Sequence, residues 1–275
     1  MKVYILLVIG IIFGASVSFA AHENSPAGGR GAGMANASVC LSDFWAVQNN
    51  QAALAGLRTI TAGAFYENRF LVKELSLKSA AFILPVKSGV FGLTTSYFGY
   101  SLYNETKTGV SFSKQLGKWL SAGVQLDYLT VHLGDNYGKK NAFTFEAGIL
   151  ASLTKDLTFG FHVFNPVQVK LSGDYPERIP AVIRTGFSYA FSEKVLAALE
   201  IEKNSNEKQQ FKAGLEYKVI QSAYIRAGIA TNPTMESFGF GLDFKNFTID
   251  FASSVHQVLG FSPQASVIYH FLSHK

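Results

Sequence analysis

The chain has 275 residues, room for one large domain or two ordinary ones, and is 48% hydrophobic but only 16% charged. That is too apolar for a disordered chain, and its 24 Phe, 12 Tyr and 25 Gly suit strands and tight bends better than helices. The net charge of +5 comes from Lys and Arg scattered through turns, which argues against a nucleic-acid partner.

Residues 1–20, "MKVYILLVIGIIFGASVSFA", read as a signal peptide. Lys2 supplies the positive end, Val3 to Phe13 the apolar run, and Ser18-Phe19-Ala20 a small-residue cleavage site. A membrane-anchoring helix is the rival reading; the small-residue ending and thin basic flank favour cleavage. No later run approaches the roughly 18 uncharged apolar residues of a spanning helix. The single cysteine, Cys40, forms no internal disulfide, so the exported fold must be stable without one. Residues 21–58 form an N-terminal segment, with helix expected only within 34–56. Its "GGRGAG" lacks the preceding strand and the lysine of a phosphate-binding loop.

From 59 to 275 the chain divides into strand-like runs: 59–66, 75–85, 89–103, 107–113, 119–132, 142–153, 157–165, 180–191, 195–202, 209–218, 223–230, 236–244, 247–256 and 263–272. Most are long enough to cross a bilayer at a tilt. The breaks alternate between a short set ("VKSG", "KQLGK", "TKD", "SEK", "KVIQS", "KN") and a generally longer set, among them "YENRFLVKE", "NETK", "LGDNYGKKN" and "NPVQVKLSGDYPERIP". An up-and-down meander has this property, and outer-membrane barrels add short periplasmic turns and an even strand number. The predicted fold is all-β: a 14-stranded up-and-down transmembrane β-barrel with a short N-terminal plug segment. Lysines in the short turns (Lys87, Lys155, Lys194, Lys218, Lys245) read either as contacts to anionic headgroups or as ordinary soluble turn residues.

Within the later runs one face is apolar and the other polar. Phe143, Phe145, Ala147 and Ile149 oppose Glu146 and Gly148; Phe238, Phe240, Leu242 and Phe244 oppose Gly239, Gly241 and Asp243. About fourteen strands make a cylinder too wide for its own side chains to fill, and the apolar rows are nearly free of charge, so the apolar face is assigned to lipid. The polar rows then line a wet lumen. Lumen-facing charges are expected at Glu146, His162, Arg184, Glu200, Lys212, Glu216, Arg226, Asp243 and Asp250. Runs within 75–103 alternate less well.

Three segments resemble the PorV/PorQ proteins and, more distantly, the FadL-type transporters. They are "GGRGAGMANASVCLSDFWAVQNNQAAL", "IPAVIRTGFSYAF", and the C-terminal third ending in "LGFSPQASVIYHF". The family's Asn-Pro-Ala-Gly-Leu motif stands here as Asn50-Gln51-Ala52-Ala53-Leu54, without proline or glycine. Four residues, "LSHK", follow the terminal aromatic Phe271. The resemblance implies an outer-membrane barrel with an N-terminal segment in or against its lumen. It implies either a type IX secretion accessory that binds secretion-system proteins or exported cargo, or a channel for a hydrophobic ligand. Arg30, Asp43, Asn49 and Asn50 are the plug candidates, with Arg30 and Asp43 expected to pair with wall charges; a mobile periplasmic tail is the alternative. Phe98, Tyr100 and Leu102 are candidates for an apolar lining, or for plain packing against the plug.

No GxSxG, HExxH or complete metal-ligand spacing is present. His162 and His256 share the lumenal phase with Ser188 and Asp250, but nothing in the sequence brings them together; His132, Asp135 and His270 read as surface residues. The expectation is a non-enzymatic protein without cofactor or metal, surrounded by outer-membrane lipid.

Overall fold

The computed structural model describes residues 24–134, 138–172 and 177–271. Residues 1–20, read above as a signal peptide, Asp135 and the terminal "LSHK" lie outside these. Fourteen antiparallel strands close into one barrel, each paired to its sequence neighbours and the first to the last. They are β1 (Thr61–Asn68), β2 (Ser76–Val86), β3 (Gly89–Gly99), β4 (Tyr103–Gln115), β5 (Leu120–Leu133), β6 (Gly138–Ser152) and β7 (Leu157–Phe164). There follow β8 (Val182–Ala190), β9 (Val195–Asn204), β10 (Gln210–Ile220), β11 (Ala223–Ala230), β12 (Met235–Asp243), β13 (Phe247–His256) and β14 (Gly260–His270). β1 and β14 meet from Thr61↔His270 to Glu67↔Gln264, which leaves no open sheet edge.

The side-chain period of two sorts the wall. Val110, Val124, Leu126, Phe145, Leu199, Phe211, Leu215, Ile225, Phe238 and Phe251 are exposed on the outside, while Lys212, Glu216 and Arg226 between them are buried inside. A closed wall that is apolar outside and charged inside is stable only in a bilayer, where lipid covers the outer rows and every strand's backbone is paired. Replacing an outward residue at mid-strand tests the assignment. Leu126→Glu is expected to cost somewhat less than the roughly 2–4 kcal/mol of an arginine at the bilayer midplane, read as a lower denaturant midpoint for the barrel refolded in vesicles.

Both barrel ends of the chain emerge on the side of the turns 87–88, 116–119, 153–156, 191–194, 221–222 and 244–246. The opposite end carries 69–75, 100–102, 134–137, 165–181, 205–209, 231–234 and 257–259. Only 165–181 is long, so the asymmetry is weaker than the sequence predicts. The reason is that several polar "loops" are strand. Residues 104–107 belong to β4, where Glu105 and Lys107 are buried toward the lumen. The true break comes earlier, at Gly99, whose φ of 103° lets the chain reverse so that the Tyr100 N–H reaches the Tyr103 carbonyl. Likewise 139–141 lie in β6, and β5 ends with the expected His132 and one residue more.

The weak alternation of 75–103 also has a cause. Outward Phe82, Leu84, Phe91 and Leu93 alternate with inward Leu77, Ala81, Ile83 and Val90, which are apolar as well because they face packed protein. That protein is the segment 24–57, which lies inside the barrel. It contains α1 (Gly29–Gly33), α2 (Ala46–Asn49) and a 3-10 turn, Gln51–Gly56. Phe44, Trp45, Val47 and Leu54 pack on Phe65, Leu77, Ile83 and Val90 of β1 to β3. Burying such a side chain contributes about 1.5–3 kcal/mol, while ordering each residue costs about 1–2 kcal/mol. Apolar packing alone therefore offsets little more than the ordering of the aromatic half of the plug. The other half must be held by polar contacts.

Candidate functional site: the plugged, charge-lined lumen

Those contacts come from a belt of buried charge on successive strands. Glu146 on β6 takes Lys107 Nζ of β4 at 2.8 Å and His162 Nε2 of β7 at 2.9 Å. Arg184 on β8 meets Glu200 of β9 at 2.7 Å, and Lys212 of β10 meets Glu202 at 2.6 Å. Arg226 on β11 joins Glu216 of β10 and Asp250 of β13, both at 2.6 Å. Each of these desolvated charges has an opposite neighbour, which is the condition for burying ions at all. Asp243 stands apart, half-buried at the turn end of β12.

The plug plugs into this belt. Arg30 forks onto Glu216 through Nε and Nη2, at 2.9 and 2.7 Å. Asp43 pairs with Arg30 at 3.3 Å and accepts the Trp45 N–H, so it bonds within the plug and not to the wall. Burial pushes the Asp43 carboxyl up against the lowering pull of Arg30. Glu200 accepts the N–H groups of Ser38 and Val39, both at 2.8 Å, and Arg184 donates to Ser38 Oγ and to the carbonyls of Asn36 and Asn49. Gln51 donates to Glu146 at 2.8 Å.

Asn49 ties back to Ala27 through both its amide atoms, closing the plug on itself. Asn50 donates to the Val39 carbonyl and to the wall at Ile149, and its Oδ1 accepts Ala52 N–H, capping the 3-10 turn. The turn thus holds without a proline or glycine, because the asparagine side chain supplies the closing bond.

Glycines on the inner rows make room for this segment; they do not mark water. A Cβ at Gly148 would stand 2.0 Å from Asn50 Oδ1, at Gly160 2.6 Å from the Val39 carbonyl, and at Gly123 2.5 Å from Ala52 N. The lumen expected to be wet is largely filled with protein.

Sequence reasoning missed Lys107, Gln125 and Asp127. Gln125 Nε2 bonds Asp127 Oδ1 at 2.8 Å, and both lie buried beside Glu146. Their signal was there, since Gln125, Asp127 and Leu129 share the inward phase of β5. Phe98 packs against the plug cluster, whereas Tyr100 and Leu102 sit exposed in a turn and line nothing. His162 is buried beside Glu146, His256 faces the far mouth next to Phe70, and His270 ends β14 against Thr248. Among the described residues no group of three or more His, Cys, Asp or Glu is placed to hold a metal ion.

Cys40 is buried with Gly160 closed over its sulfur. Burial, aided by the Glu200 charge, pushes its thiol up to about 12. At pH 8 the folded barrel is expected to react with a maleimide on the order of a thousandfold slower than an exposed cysteine, and to recover normal reactivity only after heat or denaturant opens it.

These features define a class: an integral outer-membrane β-barrel whose lumen is occupied by its own N-terminal segment. Comparison with known structures narrows the fold. A Pseudomonas aeruginosa FadL homologue is 14% identical with a TM-score of 0.69, the match covering 90% of this chain and 98% of that one. The Ralstonia pickettii toluene transporter TbuX is 13% identical, with TM-score 0.65 over 89% and 98% of the two chains. The Pseudomonas putida toluene transporter TodX is 12% identical, with TM-score 0.60 over 82% and 92%. At such identities the likeness is one of fold, and the architecture is FadL-like. No protein-family model matches the chain, and no curated protein matches it.

Proposed function

We propose that the chain is a passive channel that admits hydrophobic small molecules across the outer membrane. The observation that carries this is an apolar cluster, close-packed at rest, at the loop end of the lumen beside the charged belt. Leu129, Val131, Phe164, Leu171, Ile179 and Val182 cluster there, with Tyr103 and Leu133 packed against them. A solute without hydrogen-bonding groups that parts this cluster exchanges one apolar contact for another, whereas the charged belt beside it could admit such a solute only by giving up polar partners. The FadL-like fold, which includes solved structures described as toluene transporters, agrees with this reading. The test is uptake of toluene into vesicles holding the refolded protein. Entry above that of protein-free vesicles, reduced by Val131→Asp, supports the channel; equal entry rejects it.

A second reading, the secretion accessory or surface-attachment role that the PorV/PorQ resemblance implies, has its own support. The adjacent loops 69–75 and 257–259 expose Leu71, Val72, Val258 and Leu259. Exposed apolar clusters of this kind suit protein docking. Purification in mild detergent with recovery of a stoichiometric protein partner, lost on Leu71→Ser plus Val258→Ser, favours this role; a barrel that comes out alone disfavours it.

A further inference from the structure

The loop-end mouth holds a cavity of about 460 Å3 that borders the charged belt at Lys212 and Glu202 and the apolar cluster at Val182. Its volume falls within the roughly 300–1,000 Å3 of small-molecule sites. Its floor is the start of the plug, Asn24 to Pro26 with Asn36, and its sides come from β1, β9, β10, β13 and β14.

The chemistry of the lining is distinctive in two respects. First, its inward charges come in opposite pairs. Arg69 meets Glu67 at 3.2 Å and Lys212 meets Glu202 at 2.6 Å, so the cavity presents no net attraction for an ion. Second, it is dense in carboxamides and hydroxyls: Asn36, Asn204, Gln210, Gln264, Ser254 and Ser262. Gln264 is the telling residue. It is 6% exposed, its Nε2 is committed to Glu67 at 2.8 Å, and its Oε1 meets no protein donor. Gln264 lines the cavity while carrying an acceptor that no protein group satisfies, and a small turn of its amide would offer that acceptor to a ligand's donor. Phe65 and Phe70 add apolar rings to the same wall. Phe70 is held there at φ 56°, a left-handed conformation costly for a bulky residue, with its N–H bonded to Ser262 Oγ.

We propose that the mouth cavity binds a neutral, hydroxyl-rich small molecule, a monosaccharide, disaccharide or polyol, through Gln264, Gln210 and Asn204, with a ring or carbon face against Phe70. Hydroxyl groups both donate and accept, which matches amides whose other ends are already held, Gln264 Nε2 by Glu67 and Asn204 Oδ1 by the Asn206 N–H, while a hydrocarbon would satisfy none of them. The site shares only Val182 with the apolar cluster and does not rest on the uptake reading. A free sugar and the sugar head of a glycolipid share this chemistry.

The experiment is calorimetric titration of the refolded full chain in a zwitterionic detergent. The probes are glucose, maltose, sorbitol and, as a sugar head on a lipid tail, dodecyl maltoside added below its micelle concentration. Saturable binding of maltose or sorbitol identifies a free ligand; binding of the maltoside alone identifies a glycolipid head. Either is expected to weaken about tenfold in Gln264→Ala, the loss of one well-placed hydrogen bond. Gln210→Ala at the less buried rim gives an independent reading should the first variant assemble poorly, and heat-modifiable gel migration checks assembly of both. No saturable binding of any probe, or binding that neither substitution weakens, overturns the proposal.

Discussion

Arg184→Ala is expected to loosen the plug and destabilise the barrel together. Arg184 is 1% exposed and makes five hydrogen bonds, two to Glu200, one to Ser38 Oγ, and one each to the carbonyls of Asn36 and Asn49, beside an ion pair to Glu202 at 3.5 Å. Alanine removes the main counter-charge of Glu200, leaving Lys212 at 3.4 Å and the two plug N–H groups. It also orphans the buried Asn49 carbonyl, while that of Asn36 keeps the Ser38 N–H at 2.9 Å. Breaking one side of a buried pair costs about 3–5 kcal/mol, because the abandoned charge stays desolvated. Since the wall can restore hydration only by admitting water where the plug now sits, much of that cost should appear as plug release. The measurements are the denaturant midpoint in micelles, proteolysis of residues 24–57, and ion conductance in planar bilayers. The variant should unfold earlier, lose protection of the plug and conduct more. Arg184→Lys keeps the charge but not the fork, and should fall between. An alanine variant with wild-type midpoint and an intact, protected plug would mean that the belt does not hold the segment in place.

That belt bears on what a reader of the sequence can see. Strands such as β9 to β13 are legible because one face meets lipid and the other meets charge, so the period of two is printed in the residues: Lys212, Glu216 and Arg226 stand between Phe211, Leu215 and Ile225. The signal fails where the environment is not two-sided in that way. β2 and β3 are apolar on both faces, lipid outside and Trp45, Val47 and Leu54 inside. The start of β4 is polar enough to pass for a loop, yet Lys107 there is a buried partner of Glu146. Inner glycines give no hint of their role. A row of them fits a wet pore as well as a filled one, and only the position of the plug, whose contacts follow no period, decides between the two. Which charge pairs with which is equally hidden. Glu216 and Arg226 face each other in register, but Arg30 reaches Glu216 from 186 residues away.

Gly228→Leu should therefore expel part of the plug while leaving the cylinder closed. Gly214 and Gly228 lie directly opposite each other on β10 and β11, and together they form a slot for the turn at Met34 and Ala35. A Cβ at Gly228 would stand 2.4 Å from the Met34 carbonyl carbon and 2.5 Å from the Ala35 nitrogen; one at Gly214 would stand 2.5 Å from Met34 Cβ. The obstruction at Gly228 is backbone, so no change of rotamer relieves it. Nor can the turn slide, because Ala35 and Asn36 already hold φ of 53° and 58° and the Asn36 carbonyl is bonded to Arg184. Forcing extra carbons into a well-packed interior costs about 1–3 kcal/mol even where neighbours can shift, and here they cannot. The wall itself loses nothing, since both strands keep their ladder. If displacement of the turn forfeits about 3 kcal/mol of docking, the released state rises roughly a hundredfold in population, at about 1.4 kcal/mol per factor of ten. Proteolysis of the plug at constant barrel content reads that ratio directly. Gly117→Ala, where a Cβ meets nothing within 4 Å, serves as the control and should change neither stability nor protection. Equal protection of the plug in the Gly228→Leu and Gly117→Ala proteins would show that the slot is not what seats the segment.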